Sequence, residues 1–317
     1  MSYSDYLDYW LENYCHVNLK YHTIQAYSNI IKNHIRPRLG FYRLTQITTS
    51  TLHEFINNIY LEKGYSKNFL KNILKVLKTS FGYATDKVGF IKVNPAIKAS
   101  LPKYDIPEKN PAHIFTNEEI NMMLDGFKNN HAMYYAILTA YCTGLRAAEV
   151  FALTWDDIDL ENKTLTVNKN VLKKNQNGAT HGRHISGKAT TVWYFGTCKT
   201  PGIYRTIEIG DTLVKALKEV NLVFVKHNGV FEGTDTCKYP FKVIHYELGI
   251  NCRFHDFRET HATKLIEAGA DIKAIAKRSG HSNIRTTYEI YVRVTKKMKT
   301  DTVDKFEDFA NELELCS

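Results

Sequence analysis

The sequence predicts a mainly α protein with a small antiparallel β-sheet, divided into two domains. Three observations predict it. Apolar residues recur at i, i+3/i+4 through the first hundred residues, the spacing of one helical face. Apolar–polar alternation is confined to short runs between residues 164 and 209. The densest prolines fall between residues 94 and 111, and 317 residues are enough for two cores.

In chain order, Tyr3–Tyr14 carries Tyr6, Leu7, Trp10, Leu11 and Tyr14 on one helical stripe. Thr23–Ile35 repeats the pattern, and Arg36-Pro37 is expected to stop it, because a residue before proline resists the α conformation. Further helices are predicted at about Ser50–Lys63 and Ser66–Lys87, making 1–102 a small four-helix domain. Residues 103–112 read as a linker. The second domain, 113–300, opens with Thr116-Asn-Glu-Glu119, a capping box whose hydroxyl and carboxylate satisfy the first free helical N–H groups. Helices are predicted at Asn117–Phe127 and Ala132–Thr143. Strands are predicted at Thr164-Leu-Thr-Val-Asn, Thr191-Val-Trp-Tyr-Phe and Tyr204-Arg-Thr-Ile-Glu-Ile. Between the first two, Lys173–Thr190 reads as a long hairpin tip or mobile insertion. From Asp211 the chain is mostly helical. In 301–317, Val303, Phe306, Phe309/Ala310 and Leu313 form an apolar stripe among six acids, a terminal helix packed on its own core or on a neighbouring copy.

Composition narrows the function. Six scattered cysteines without a C-x-x-C pair read as reduced thiols in a cytoplasm. No apolar run is long enough to span a bilayer, and Met1-Ser-Tyr-Ser-Asp-Tyr lacks a secretory layout. The net charge of +9 divides unevenly: residues 1–102 carry a surplus of seven positive charges, 103–300 another seven, and 301–317 a deficit of five. Two basic bodies suit a polyanionic partner. Motifs for ATP, nicotinamide or zinc hydrolysis are missing, and His181-Gly-Arg-His184 lacks the further ligands of a metal site.

What remains is a set of phosphate-binding side chains. His255 and Arg258 stand at i, i+3 on one helical face. His281 follows Gly280 in a turn after the predicted helix Ile272–Arg278, and Arg146 follows Thr143-Gly-Leu at a helix start. Two guanidiniums and two imidazoles could hold a phosphodiester and stabilise its transition state through fixed donors rather than a metal.

These residues lie in motifs that resemble those of the tyrosine recombinases, the phage-integrase family. They are Thr143-Gly-Leu-Arg146-Ala-Ala-Glu149, His255-Asp-Phe-Arg258-Glu-Thr-His-Ala-Thr263 and Gly280-His281-Ser-Asn-Ile-Arg-Thr-Thr-Tyr-Glu-Ile-Tyr291. Cys198-Lys199-Thr200 before Tyr204-Arg-Thr-Ile resembles the family's β-hairpin lysine segment, and the resemblance covers nearly the whole chain. It implies a helical core-type DNA-binding domain followed by a mixed α+β catalytic domain. Tyr291 would attack the scissile phosphorus, leaving a 3′-phosphotyrosine and a free 5′-hydroxyl. Arg146 and Arg258 would grip the non-bridging oxygens, Lys199 would protonate the departing oxygen, and His255 would assist proton transfer at the nucleophile. His281 would donate to the phosphate, and Glu149 would orient the site. Arg205 is expected as a phosphate or structural contact. Lys188 is an alternative to Lys199 or a further DNA contact. Tyr288 competes with Tyr291, but the family's spacing after the Gly-His histidine favours Tyr291, leaving Tyr288 to packing.

The resemblance further implies double-stranded DNA core or attachment sites as substrate, a homotetramer on DNA, integration and excision of a mobile element, and a possible excisionase partner. It implies neither metal nor cofactor and no membrane. The biology could instead be chromosome-dimer resolution, and the chemistry that of a type IB topoisomerase or of an inactive DNA-binding regulator. Two departures stand out: Ser279 replaces the commoner Leu before Gly-His, and Glu259 stands where a polar or basic residue is usual. Because the core-binding helices begin almost at Met1, no separate N-terminal domain for arm-type sites is expected in this chain.

Overall fold

The computed structural model describes residues 1–102, 112–175, 191–197, 204–219, 234–281 and 283–292. They fall into two compact units, the chain passing from the first to the second at residues 110 and 111.

Four helical runs build the first unit. α1 covers 3–18 as Tyr3–Trp10, a π turn at Leu11–Cys15 and His16–Asn18. α2 covers 21–39 as Tyr21–Ile30, a π turn at Ile31–Ile35 and Arg36–Leu39. α3 is Thr49–Lys63, capped by the Thr48 hydroxyl and ended by Gly64 in the left-handed region; α4 is Lys67–Asp86, capped by Ser66.

The expected stop at Arg36-Pro37 does not occur: Arg36 keeps helical angles (φ −59°, ψ −44°). The wide turn before the proline carries the Arg36 N–H to the Ile31 carbonyl. Pro37 thus falls in the first turn of the next segment, where no N–H is required. Ile30, Ile31, Ile35 and Leu39 are all buried, so the apolar face continues across the proline and tertiary packing overrides the local preference. In the core, Tyr3 stacks on Phe81 and Trp10 on Tyr27, while the hydroxyls of Tyr3 and Tyr6 meet the Ser80 side chain and carbonyl.

The second unit begins with α5 (Asn117–Gly126), where the Thr116–Glu119 capping box forms as expected, and α6 (His131–Thr143). A short helix, α7 (Ala147–Val150), starts at Arg146. β1 (Ile158–Asp159), β2 (Thr164–Val167) and β5 (Arg205–Glu208) make a three-stranded antiparallel sheet with β2 central. β3 (Lys169–Asn175) and β4 (Thr191–Thr197) pair in a second sheet. β3 corrects the reading of Lys173–Thr190: residues 173–175 belong to a strand, in which Lys173 pairs with Asp235 and lies over the Trp193 ring. The charges of Lys169, Lys173 and Lys174 masked the strand signal in the sequence. The remainder of that segment lies outside the described residues.

α8 (Asp211–Lys218), α9 (Lys238–Glu247), α10 (Phe254–Glu267), α11 (Ile272–Ser279) and a helix at 284–292, α12, follow. The main core joins α5, α6, the first sheet, α8 and the start of α10, with Phe115 stacked on Phe257 at 4.6 Å. Ala262, Ile266, Ile275 and Ile290 close a smaller cluster between α10, α11 and α12. Among the described residues no helix is long and apolar enough to cross a membrane.

Candidate active site

Two glycines set the frame. Gly144 ends α6 at φ +69°, and a Cβ there would stand 2.7 Å from the His261 ring. Gly280 ends α11 at φ +64°, and a Cβ there would meet the Arg205 guanidinium at 2.7 Å. Both positions need glycine for conformation and for space. The chain turns sharply after each helix and presents Arg146 and His281 directly beyond the turn.

Glu149 is the buried hub. It accepts from the Arg146 backbone N–H (2.9 Å), from Arg146 Nη1 (2.8 Å) and from Arg205 Nη2 (3.0 Å). Burial opposes its charge, but the hydrogen bond and charge of Arg205, followed by those of Arg146, outweigh that and hold the carboxyl below its ordinary range. Arg146 also donates from Nη2 to the Gly280 carbonyl (3.0 Å), tying the start of α7 to the turn before His281.

Arg258 lies inside the unit, 1% exposed, and donates from Nη1 to the Gly144 carbonyl (2.9 Å). Its Nε and Nη2 have no hydrogen-bond partner among the described residues. Burial and then the Arg146 charge push this guanidinium down to about 9, so it remains a cation at neutral pH. With Arg146, Arg205 and Arg258 set against Glu149 and Glu259, the cluster is electropositive, and the unmet donors of Arg258 suit an anion.

His281 sits beside it, its Nδ1 2.7 Å from the Thr287 hydroxyl. Burial, then Arg258 and Arg146, hold it down to about 4, which makes it a neutral imidazole at pH 7. His255 is half exposed on α10, with Nε2 3.6 Å from Glu259 Oε1. Tyr291, on α12, packs against the Ala262–Ile290 cluster and stacks on Tyr288 with ring centroids 6.0 Å apart. Tyr288, read as packing, stacks on Tyr291 and is 54% exposed.

Arg146, Glu149, Arg258 and His281 therefore come together, and the charge of His255 reaches His281. Of the two expectations for Arg205, phosphate contact or structural contact, the described residues show the structural one. Arg205 is buried opposite Val167 and donates to Glu149 and, from Nε, to the Arg278 carbonyl (2.7 Å). Strand alternation carried this signal: Arg205 shares its face with Ile207 and Ile209, not with Tyr204 and Glu208. Lys188, Lys199 and the apolar stripe of 301–317 lie outside the described residues.

Three features escaped the sequence reading. Arg278 donates to His261 Nε2 (3.0 Å) and to the carbonyls of Glu208 and Cys142, while His261 Nδ1 meets the Tyr141 carbonyl (2.8 Å). This pair braces the turn before Arg146, and burial followed by Arg278 holds His261 down to about 4. Thr287 is the second feature. Third, Lys67, Lys71, Lys75 and Lys78 form an exposed stripe on α4, spaced i, i+4, i+8, i+11 and so visible in principle from periodicity. Among the described residues no group of His, Cys, Asp and Glu could hold a metal ion.

Comparison with known proteins adds the family context. The family described as "Phage integrase family" matches residues 113–298, more than half of the chain, and "Phage integrase, N-terminal SAM-like domain" matches 2–60. A tyrosine recombinase XerC-like protein of Caldanaerobacter subterraneus subsp. tengcongensis is 28% identical, over 96% of this chain and 82% of the relative. The integrase of Staphylococcus phage L54a is also 28% identical, over 95% of this chain and 91% of its own. The fold is similar to that of the Tn1549 transposon integrase solved with transposon right end DNA. There the TM-score is 0.71 at 23% identity, covering 92% of this chain and 95% of that one.

Proposed function

The chain belongs to the phage integrase family, the tyrosine recombinases that cut and rejoin DNA, and within it we propose how its own residues divide the work. The observation that carries the proposal is Arg258, a buried cation with two unpartnered donors beside Arg146 and His281. Such a cluster fits the non-bridging oxygens of a phosphodiester: planar forks bind two oxygens at fixed angles, and low dielectric strengthens each contact.

Tyr291 Oη attacks phosphorus as the P–O5′ bond breaks, so a phosphotyrosine forms and the 5′-oxygen takes a proton. Lys199 supplies that proton, with Lys188 as the alternative donor or a DNA contact. His255 accepts the tyrosine proton, which at an ordinary pKa of about 10 needs help to leave near pH 7. Arg146 and Arg258 hold the phosphate oxygens, Glu149 locks Arg146, and His281 donates to the phosphate. The phosphotyrosine conserves the energy of the phosphodiester, so a second 5′-hydroxyl reverses the step on a new strand.

Exchange between two duplexes cuts four strands, which calls for four nucleophiles and hence four copies of the chain. We assign residues 1–102 to core-site DNA, with the α4 lysine stripe on phosphates, 103–112 to the linker, 113–300 to catalysis and 301–317 to contact with a neighbouring copy. The biological setting proposed is integration and excision of a mobile element in the cytoplasm, at the nucleoid, with an excisionase as possible partner.

The test starts by footprinting the chain on DNA flanking its own gene to locate a core site. A nicked duplex carrying that site then traps the covalent intermediate. Wild type is expected to form a protein–DNA adduct and Tyr291→Phe none. An adduct that survives Tyr291→Phe, or is lost only in Tyr288→Phe, overturns the assignment.

A further inference from the structure

We propose that Thr287 is a positioning residue that fixes the tautomer of His281, leaving the proton on Nε2. Thr287 is fully buried on α12, six residues after His281, and its Oγ1 lies 2.7 Å from His281 Nδ1. A threonine hydroxyl has one proton to give, and leaving it unmet in a buried site is destabilising. Among the described residues His281 Nδ1 is the one acceptor within reach of that hydroxyl; no backbone carbonyl of its own helix takes it. Were the imidazole to donate from Nδ1 instead, the hydroxyl proton would have nowhere to go. Satisfaction of both groups therefore requires O–H···Nδ1, and a neutral ring with a bare Nδ1 carries its hydrogen on Nε2.

The second half-buried histidine shows the opposite case. His261 Nε2 faces Arg278 Nε, which can only donate, so its hydrogen sits on Nδ1 and is given to the Tyr141 carbonyl. Two neutral imidazoles in one unit are thus held in opposite tautomers by the group each one faces. His261 turns both nitrogens to the scaffold, whereas His281 keeps a donor for something outside its own contacts. In the phosphate-binding role proposed above, on which this inference rests, a donor is what His281 needs, and a bare Nε2 would repel a phosphate oxygen.

The tautomer can be read without any reaction. In the full chain labelled with ¹⁵N-histidine, the His281 signals are assigned by their loss in His281→Gln. Wild type is expected to show a protonated Nε2 and a bare Nδ1; a protonated Nδ1 overturns the proposal. Thr287→Val should release the ring to a tautomer mixture and slow single-turnover adduct formation on the nicked core duplex by about tenfold or more. Thr287→Ser should restore both. A Val variant that keeps the Nε2–H tautomer and the wild-type rate also overturns the proposal. If wild type forms no adduct while the Nε2–H tautomer stands, the recombinase chemistry fails and the positioning by Thr287 does not.

Discussion

The two units bury different things. In the first, the buried polar groups among the described residues are uncharged: the hydroxyls of Tyr3, Tyr6, Ser28 and Ser80, the Trp10 indole N–H and the Cys15 thiol. In the second, Glu149, Asp157, Arg205, Asp256 and Arg258 are all buried. The first unit is an apolar and aromatic core whose ion pairs, such as Arg36–Asp8 and Arg38–Glu62, stay partly exposed and contribute little. The second carries charge into low dielectric, where Glu149, Asp157, Arg205 and Asp256 each face an opposite charge and Arg258 keeps two unmet donors. The contrast separates scaffold from chemistry: a unit that merely folds does not need a guanidinium with two unmet donors.

Glu149→Ala is the strongest way to break this contrast. It leaves Arg205 buried without its acid and Arg146 without its anchor, so the second unit should lose about 3–5 kcal/mol in urea unfolding. Adduct formation should fall about a hundredfold or more. A variant as stable as wild type would show that the acid is not the hub.

Acid should act next. The folded-state His261 sits at about 4 against an ordinary 6.5. Between those values the unfolded chain binds a proton that the folded one refuses, so stability falls as pH drops through that window. The slope is at most about 1.4 kcal/mol per pH unit for this histidine. Hydrogen exchange resolved by peptide should show the second unit loosening from pH 6.5 downward. His261→Gln should flatten the slope, with the contribution of His281 remaining.

The smallest effect tests the other side of the comparison. Tyr6→Phe deletes the bond to the Ser80 carbonyl and should cost the first unit about 1 kcal/mol, measured by its urea midpoint. Adduct formation at saturating DNA should not change. A loss of chemistry with Tyr6→Phe would mean that the first unit does more than fold and bind.

Much of this was legible in the sequence. The helix at Asn117 announced itself by its capping box, those expected at Ala132–Thr143 and Ser66–Lys87 are found at His131–Thr143 and Lys67–Asp86, and Arg146, Arg258 and His281 were nominated by their motifs. Pro37 misled because the local rule omits the buried stretch from Ile30 to Leu39 that keeps the helix going. For Arg205 the choice between phosphate and structural contact stayed open in the sequence, although strand alternation points the side chain inward. Thr287 and Arg278 carry no signal at all in one dimension. A threonine in a helix is ordinary until a histidine six residues away turns back onto it.

By itself, then, the sequence determined the mainly helical fold class, most of the described helices and the charge of each part, and its motifs nominated the candidate reactive side chains. These depend on nearest neighbours, on periodicity and on the chemistry of single residues. Only the tertiary structure decided which cation is spent on the scaffold and which is left with donors to spare, and which groups face the ring nitrogens of the two half-buried histidines. Hydrogen-bond satisfaction in a low dielectric is a property of residues far apart in the chain. Arg258 meets Gly144, and Arg205 meets Glu149, only once the fold has closed around them.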